Sequence, residues 1–387
     1  MLTNKDSLWP LKMLLFCFYG ANTMVVSFLP LLLTYRGLSG QEIGWVLAIG
    51  PAVSIVAQPF WGFISDKFQT VKKVLIVTLI GLLISGFFYF QAKSLIIILG
   101  LSIVFYFFQS SIAPLSDSLA QRRAEQLGVP FGSIRTWGSI GFATFSILIG
   151  EIVDWTGIQY LIIPYFMMAS VTLFMSTRVK DVTIERTSIQ IKDLQKLFKN
   201  PPLILFLAAL FLVAVTHRMN DSYMSLFINQ LGGGDNLVGI AWFVGVVSEA
   251  LVIAFAGKWL KKLHPLIFIV ASGLIFSLRW MLYSLITTPS LIIIFQVLNG
   301  LSYGVFFVMS FQYVTRLIPV QLQTSGHLLY STVIFGISGI VASLGGGYLF
   351  EQFGGATLYF VMAILALLGS CFILIYHIII RKTTRVV

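Results

Sequence analysis

A few charged side chains stand inside long apolar stretches, where a charge is costly and therefore informative. Glu249 ends the run Gly245-Val246-Val247-Ser248-Glu249, Arg279 is centred in Leu278-Arg279-Trp280, and His217, Arg218, Asn220 and Asp221 fall together in a third stretch. Asp117 and Arg135 are 18 positions apart, near the ends of two more. A single charge at the centre of a bilayer helix costs roughly 2.5–3.5 kcal/mol on insertion scales. Burial disfavours the ionised form of any carboxylate, which makes a buried acid a usable proton carrier. A guanidinium such as that of Arg135 donates paired hydrogen bonds to vicinal hydroxyls or to a carboxylate. With Asp117 accepting on the other side, a small polyhydroxylated ligand would be held. Gln296 and Asn299 share a helical face and are followed by Ser302. Their neutral amides could bond the same ligand, and Trp137 and Trp280, each close to an arginine, could stack on a flat or sugar face. His217 and Asp221, at i,i+4, could relay a proton.

Each of these readings has a plainer counterpart. Glu249 and Arg279 could form a structural interhelical pair, and Asp117 could tether a loop to Arg122 or Arg135. Arg218 and Asp221 could neutralise each other at i,i+3 toward the periplasmic end of their span.

Helices that cross a bilayer must position such charges. Of the 387 residues 58% are hydrophobic and only 10% charged, and mean hydropathy is +0.93, whereas soluble domains carry about 25% charged residues. A soluble globular enzyme is excluded, and no length remains for a soluble catalytic domain. About 20 apolar residues cross the hydrocarbon core as a helix. Apolar windows between polar breaks predict twelve spans, at about 9–34, 42–64, 74–91, 94–119, 135–153 and 158–176 in the first half. The second half gives about 203–228, 237–260, 266–286, 290–315, 325–349 and 355–380. The first span is too long for a signal peptide and lacks a small-residue cleavage signature, so it is read as a retained helix.

Twelve spans put both termini on one side. That side carries all of the 25 Lys and Arg except Arg36 and Lys93, which lie opposite, and Arg218 and Arg279, which lie within the membrane. The positive-inside rule makes it the cytoplasmic side. A multi-pass bacterial plasma (inner) membrane protein with cytoplasmic N and C termini follows, and the net charge of +11 is explained without nucleic acid. The expected organisation is a six-helix bundle over 1–176, a cytoplasmic linker over 177–201 and a second six-helix bundle over 202–387. Within the linker, Ile189, Ile191, Leu194, Leu197 and Phe198 interleave with Lys192, Lys196 and Lys199. That pattern suits an interfacial amphipathic helix or a solvated linker equally.

Six spans, a basic linker and six more suggest duplication, and a trace survives. Gly150, Asp154 and Gly157 close span 5, and Gly347, Glu351 and Gly354 close span 11 with the same spacing.

Between spans 2 and 3 the chain reads Pro59-Phe60-Trp61-Gly62-Phe63-Ile64-Ser65-Asp66-Lys67, followed by Lys72 and Lys73. This resembles the loop signature of the major facilitator superfamily, which implies a cytoplasmic latch formed by Gly62, Asp66, Lys67 and Lys72. Gln69 departs from a usual glycine, and the basic pair is displaced. Ala113-Pro114-Leu115-Ser116-Asp117, Phe131-Gly132-Ser133-Ile134-Arg135-Thr136-Trp137-Gly138-Ser139-Ile140-Gly141 and the segments around Glu249 and Arg279 narrow the likeness to the lactose permease and phenylpropionate permease-like group. That resemblance implies sugar-hydroxyl binding by Asp117 and Arg135, and substrate binding with proton transfer by Glu249 and Arg279. Span 10 departs from it. Gln296, Asn299 and Ser302 occur where lactose permease presents lysine, histidine and glutamate, so coupling would run through Glu249, Asp221 or Asp117, or the protein would be a facilitator.

The sequence thus predicts an all-α membrane protein with the twelve-helix major facilitator fold, transporting a small polar solute (sugar, nucleoside or small aromatic acid) by alternating access with proton symport. Asp117, Arg135, Trp137, Glu249, Arg279, Gln296 and Asn299 would bind substrate between the halves, with Glu249, Asp221, His217 and Arg218 coupling protons. A proton-antiport exporter of drugs or lipids, slightly favoured by 34 Phe, and a non-transporting membrane sensor are the alternatives. Expected partners are the solute, the proton and the bilayer, with the protein a monomer. H-E-x-x-H and P-loop motifs are absent from the sequence, and Cys17 and Cys371 fall in apolar runs, so no enzyme activity, cofactor or metal is expected.

Overall fold

The computed structural model describes residues 7–182, 197, 199–259, 264–319 and 322–384. Among these, all regular structure is helical, and 11 helices are long and apolar enough to cross a membrane. In chain order they are α1 (Trp9–Tyr35), α2 (Gly40–Phe68), α3 (Val71–Tyr89), α4 (Leu95–Leu127), α5 (Gly132–Thr156) and α6 (Ile158–Arg178). There follow α7 (Pro201–Gln230), α8 (Asp235–Phe255), α9 (Pro265–Ser284), α10 (Ser290–Leu317) and α11 (Ser325–Ile379). Apart from Leu197 and Lys199, the amphipathic stretch of the linker lies outside the described residues.

The last helix accounts for the difference from the sequence-based count. Its 55 residues, at 1.5 Å each, would measure about 80 Å, against a hydrocarbon core of about 30 Å. It turns at Gly354, where φ is 78° and ψ 171°. Gly157, which closes α5, has φ 95° and ψ 147°, so the two glycines paired by the internal repeat adopt the same left-handed backbone, which favours glycine. Helices also outrun the apolar windows. α4 continues through Gln121, Arg122, Arg123 and Glu125 to Leu127 and stops at Gly128, with φ 64°. A hydropathy window detects the apolar part of a helix, whereas a glycine in this conformation sets its end. Asp117, near the end of its apolar stretch, is therefore ten residues from the end of α4.

Contacts divide the chain into two compact units: Met1–Thr187 with Gly234–Phe243, and Ser188–Gly233 with Val244–Val387. In the first, α1 packs on α5 and α6, α4 packs on α2 and α3, and α3 packs on α6. In the second, α7 and α9 both pack on α11, and α9 packs on α10. Many large apolar side chains face outward, among them Ile96 and Val56, as expected where lipid replaces water as the solvent.

Polar side chains repair backbone defects inside this apolar packing. Pro114 lies within α4 and has no N–H for the carbonyl of Ser110. The Gln58 side chain of α2 donates to that oxygen instead, at 3.2 Å. At the start of α2, Ser39 and Glu42 form a reciprocal capping box. Asn200 caps α7 by accepting from the Leu203 N–H.

Candidate functional site

In the first unit Asp117 of α4 and Arg135 of α5 meet. Arg135 Nε is 3.1 Å from Asp117 Oδ1 and 3.3 Å from Oδ2, with the hydrogen bond directed to Oδ2. The same Oδ2 accepts from the Tyr19 hydroxyl of α1 at 3.4 Å, and the Arg135 guanidinium lies 4.3 Å over the Tyr19 ring. A Cβ on Gly138 would approach the Tyr19 ring to 2.6 Å and Arg135 Nη1 to 2.9 Å, so glycine is needed beside this stack. The pair is two-thirds buried, with side-chain exposures of 30% and 33%. Among the described residues neither terminal nitrogen of Arg135 has a hydrogen-bond partner. The arrangement orients a guanidinium by its Nε and leaves its outer donors available to a polar ligand.

Trp137 is on the same helix but turns elsewhere. Its ring meets Trp9 and Phe16 edge-on, with centroids 5.6 and 6.3 Å away, and Lys12 Nζ lies over it at 5.9 Å. Tyr19, which sequence reasoning missed, is the aromatic group at the Asp117–Arg135 pair. Position within its apolar span was its only signal.

The four residues that the resemblance implies for a latch are placed separately around the loop between α2 and α3. Asp66 is in the last turn of α2 and within electrostatic range of Arg122. Lys67 is exposed, and its ammonium lies 5.8 Å from the neighbouring Phe68 ring. Gly62 has open space where a side chain would be. Lys72 bonds toward the end of α6: its Nζ donates to the Thr177 carbonyl at 2.7 Å, and its N–H donates to Asp181 Oδ1 at 3.1 Å. The other Asp181 oxygen accepts from the Thr70 hydroxyl, so a residue beyond α6 helps cap α3.

Gln69 takes the φ of 52° and ψ of 37° that end α2, and it is the only non-glycine with positive φ among the described residues. Glycine adopts this conformation without the steric cost that a side chain brings. Gln69→Gly is expected to stabilise the protein by about 0.5–1 kcal/mol, read as a raised thermal midpoint in detergent. A lowered midpoint would contradict this backbone assignment.

The second unit gathers a larger cluster. Arg279 of α9 is fully buried. Its Nη1 donates to Asn299 Oδ1 at 2.8 Å and Ser302 Oγ at 3.4 Å, and its Nη2 donates to Gln296 Oε1. The guanidinium is 4.6 Å from the Trp280 ring and 5.4 Å from Tyr283. Trp280 itself is buried, donating to Thr216 Oγ1 at 3.0 Å, so its ring serves the protein's own arginine. Among the described residues no carboxylate lies within 4.0 Å of Arg279. The three neutral residues of span 10 are thus the ones that hold this cation. They sit where α10 widens into a π-helical turn over Gly300–Gly304, a feature frequent at functional sites.

His217, Arg218 and Asp221 lie in the middle of α7, which continues to Gln230, and not toward its end. Arg218 Nη1 is 2.9 Å from Asp221 Oδ2, and His217 Nε2 is 3.7 Å from the same oxygen. The ion pair and the histidine contact therefore coexist. The His217 ring stacks on Tyr303 of α10, centroids 3.8 Å apart and planes within 17°, and its Nδ1 is buried without a hydrogen-bond partner. Tyr303 is within electrostatic range of Arg218, Asp221 and Glu249. Half-buried Glu249 of α8 faces α10 at Gly304, whose Cβ would stand 3.6 Å from Glu249 Cγ. One turn earlier a Cβ on Gly300 would overlap the Ser248 carbonyl at 2.3 Å, so small residues let these two helices touch.

The geometry accompanies a clear kinship. The sequence matches the MFS_1 like family over residues 8–361. It is 29% identical over 341 residues to the maltose permease of Geobacillus stearothermophilus, covering 87% of this chain and 86% of that one. It is 25% identical over 348 residues to the probable 3-phenylpropionic acid transporter of Escherichia coli (strain K12), covering 86% and 88%. The crystal structure of the nucleoside transporter NupG has the same fold, with a TM-score of 0.85 at 16% identity, covering 97% of this chain and 99% of that one. This chain belongs to the MFS_1 like family and is a multi-pass membrane transporter of the major facilitator superfamily.

Proposed function

We propose that this transporter is a sugar–proton symporter of the bacterial inner membrane, working by alternating access as a monomer that is not an enzyme. Its topology in this reading is twelve spans, α11 supplying the last two on either side of Gly354, with both termini cytoplasmic. The observation that carries the proposal is Arg279: a fully buried cation held by the oxygens of Gln296, Asn299 and Ser302. A site built of amides and a fork of donors suits hydroxyl groups, which both donate and accept. Asp117 and Arg135, with two outer nitrogens available, offer the same chemistry. The likeness to a maltose permease supports sugars over nucleosides and aryl acids. Glu249 carries the proton, with Asp221 and His217 beside Tyr303 as the adjoining titratable groups.

A ligand panel tests the substrate class. Purified protein is heated with disaccharides, nucleosides and arylpropionates, and a ligand at 100 times its Kd adds about 2.7 kcal/mol of stability. Stabilisation is expected from sugars. Liposomes carrying the protein should then take up protons when that sugar is added outside. Stabilisation by the other two classes alone, or sugar uptake without proton movement, would sink this reading.

A further inference from the structure

The strongest unassigned feature is in the first unit, at the end of the helices that carries Arg36 and Lys93. A cavity of about 440 Å³ opens between the end of α1, the α3–α4 turn and the α5–α6 turn, lined by Tyr35, Arg36, Gln91, Lys93 and Gln159 among others. Both cations on its wall lack a counter-charge: among the described residues neither Arg36 nor Lys93 forms an ion pair. Arg36 is fixed in place. Its Nη2 donates to the Phe90 carbonyl, and its Nη1 is buried without a hydrogen-bond partner. Burial lowers the pKa of this guanidinium from its ordinary value. The two glutamines add amide N–H donors. Two residues beyond Lys93, α4 begins with no side chain capping its first N–H groups, which adds positive potential at this end.

The aromatic surroundings indicate the depth at which a ligand would sit. Tyr35 is exposed on the cavity wall, and exposed Trp155 and Tyr160 flank Gln159. Tyr and Trp concentrate where a bilayer's headgroups begin. We infer that this cavity binds a phosphoryl oxyanion, clamped by Arg36 and Lys93, and that its ordinary source is the headgroup of an anionic phospholipid. The substrate of the transport cycle plays no part in it.

The test uses the full-length protein in nanodiscs of pure phosphatidylcholine, of phosphatidylcholine with phosphatidylglycerol, and of pure phosphatidylcholine with inorganic phosphate added. Midpoints of thermal unfolding are compared for wild type, Arg36→Gln and Lys93→Gln. Phosphatidylglycerol is expected to raise the wild-type midpoint, and each variant should need about tenfold more of it for the same rise, the loss of one charge-assisted contact. A rise produced by inorganic phosphate and weakened in the variants would make the free oxyanion an equally good occupant. Should Arg36→Gln fail to fold because the Phe90 contact is lost, exposed Lys93 carries the test alone. Equal responses of wild type and Lys93→Gln to both phosphatidylglycerol and phosphate, or no response to either, would overturn the assignment.

Discussion

Arg279→Lys is expected to lower solute uptake by about a hundredfold at low substrate concentration while the protein remains folded. The guanidinium now spans Gln296, Asn299 and Ser302 from one planar fork and lies close to the rings of Trp280 and Tyr283. Lysine presents a compact ammonium that cannot reach Gln296 and Asn299 in that geometry. Two charge-assisted hydrogen bonds at about 1.5 kcal/mol each amount to about 3 kcal/mol, or roughly a hundredfold. The amide oxygens of Gln296 and Asn299 would lose their donor while Asn299 Nδ2 still donates to the Gly245 carbonyl, so the loss should appear in substrate affinity as well as rate. Uptake and ligand-induced stabilisation measured on the same preparation separate a lost site from a lost fold. Wild-type uptake by a folded lysine variant would remove Arg279 from the binding site.

Glu249→Gln is expected to abolish proton-driven accumulation and to spare exchange of solute across the membrane. Glutamine keeps the shape and hydrogen-bonding capacity of a protonated glutamate but cannot release a proton. One proton moving with the solute through 100 mV contributes about 2.3 kcal/mol, which sustains roughly a 50-fold gradient. Without it the internal concentration should only equal the external one. Glu249 is placed for such a role, half-buried against Gly304 and within electrostatic range of Tyr303, which stacks on His217. Undiminished accumulation by the variant would exclude Glu249 as the carrier and leave Asp221 and Asp117 to be tested the same way.

The charged residues that matter were legible because a charge in an apolar stretch stands out. Asp117, Arg135, Arg279, Arg218 and Asp221 are all engaged in hydrogen bonds or ion pairs at partly or fully buried positions. The aromatic residues were legible only in part: Trp280 does lie against the neighbouring Arg279. Trp137 adjoins Arg135 in sequence yet packs on Trp9 and Phe16, whereas Tyr19, more than a hundred positions away, supplies the ring under the arginine. One Tyr among 14 carries no mark that its ring meets a cation. The mutual arrangement of the neutral trio on span 10 was not legible either. Its departure from the lactose permease pattern moved proton coupling to other residues, and the packing shows its three acceptors converging on one buried cation.

By itself the sequence determined the membrane environment, the helical class, the approximate spans and the short roster of costly charges, because each follows from the free energy of placing one residue type in hydrocarbon. Its repeat also indicated the two glycines whose backbones now prove alike, since only glycine is at ease at that φ. Tertiary structure alone decided which groups satisfy those charges. It joined Arg135 to Asp117 and Tyr19, gave Arg279 to neutral amides, set Tyr303 on His217, and tied Lys72 to Asp181 and Thr177. Such pairings depend on the rotation of each helix about its axis and on its depth against its neighbours. These are set by the summed packing of many side chains, and no local pattern in the sequence encodes them.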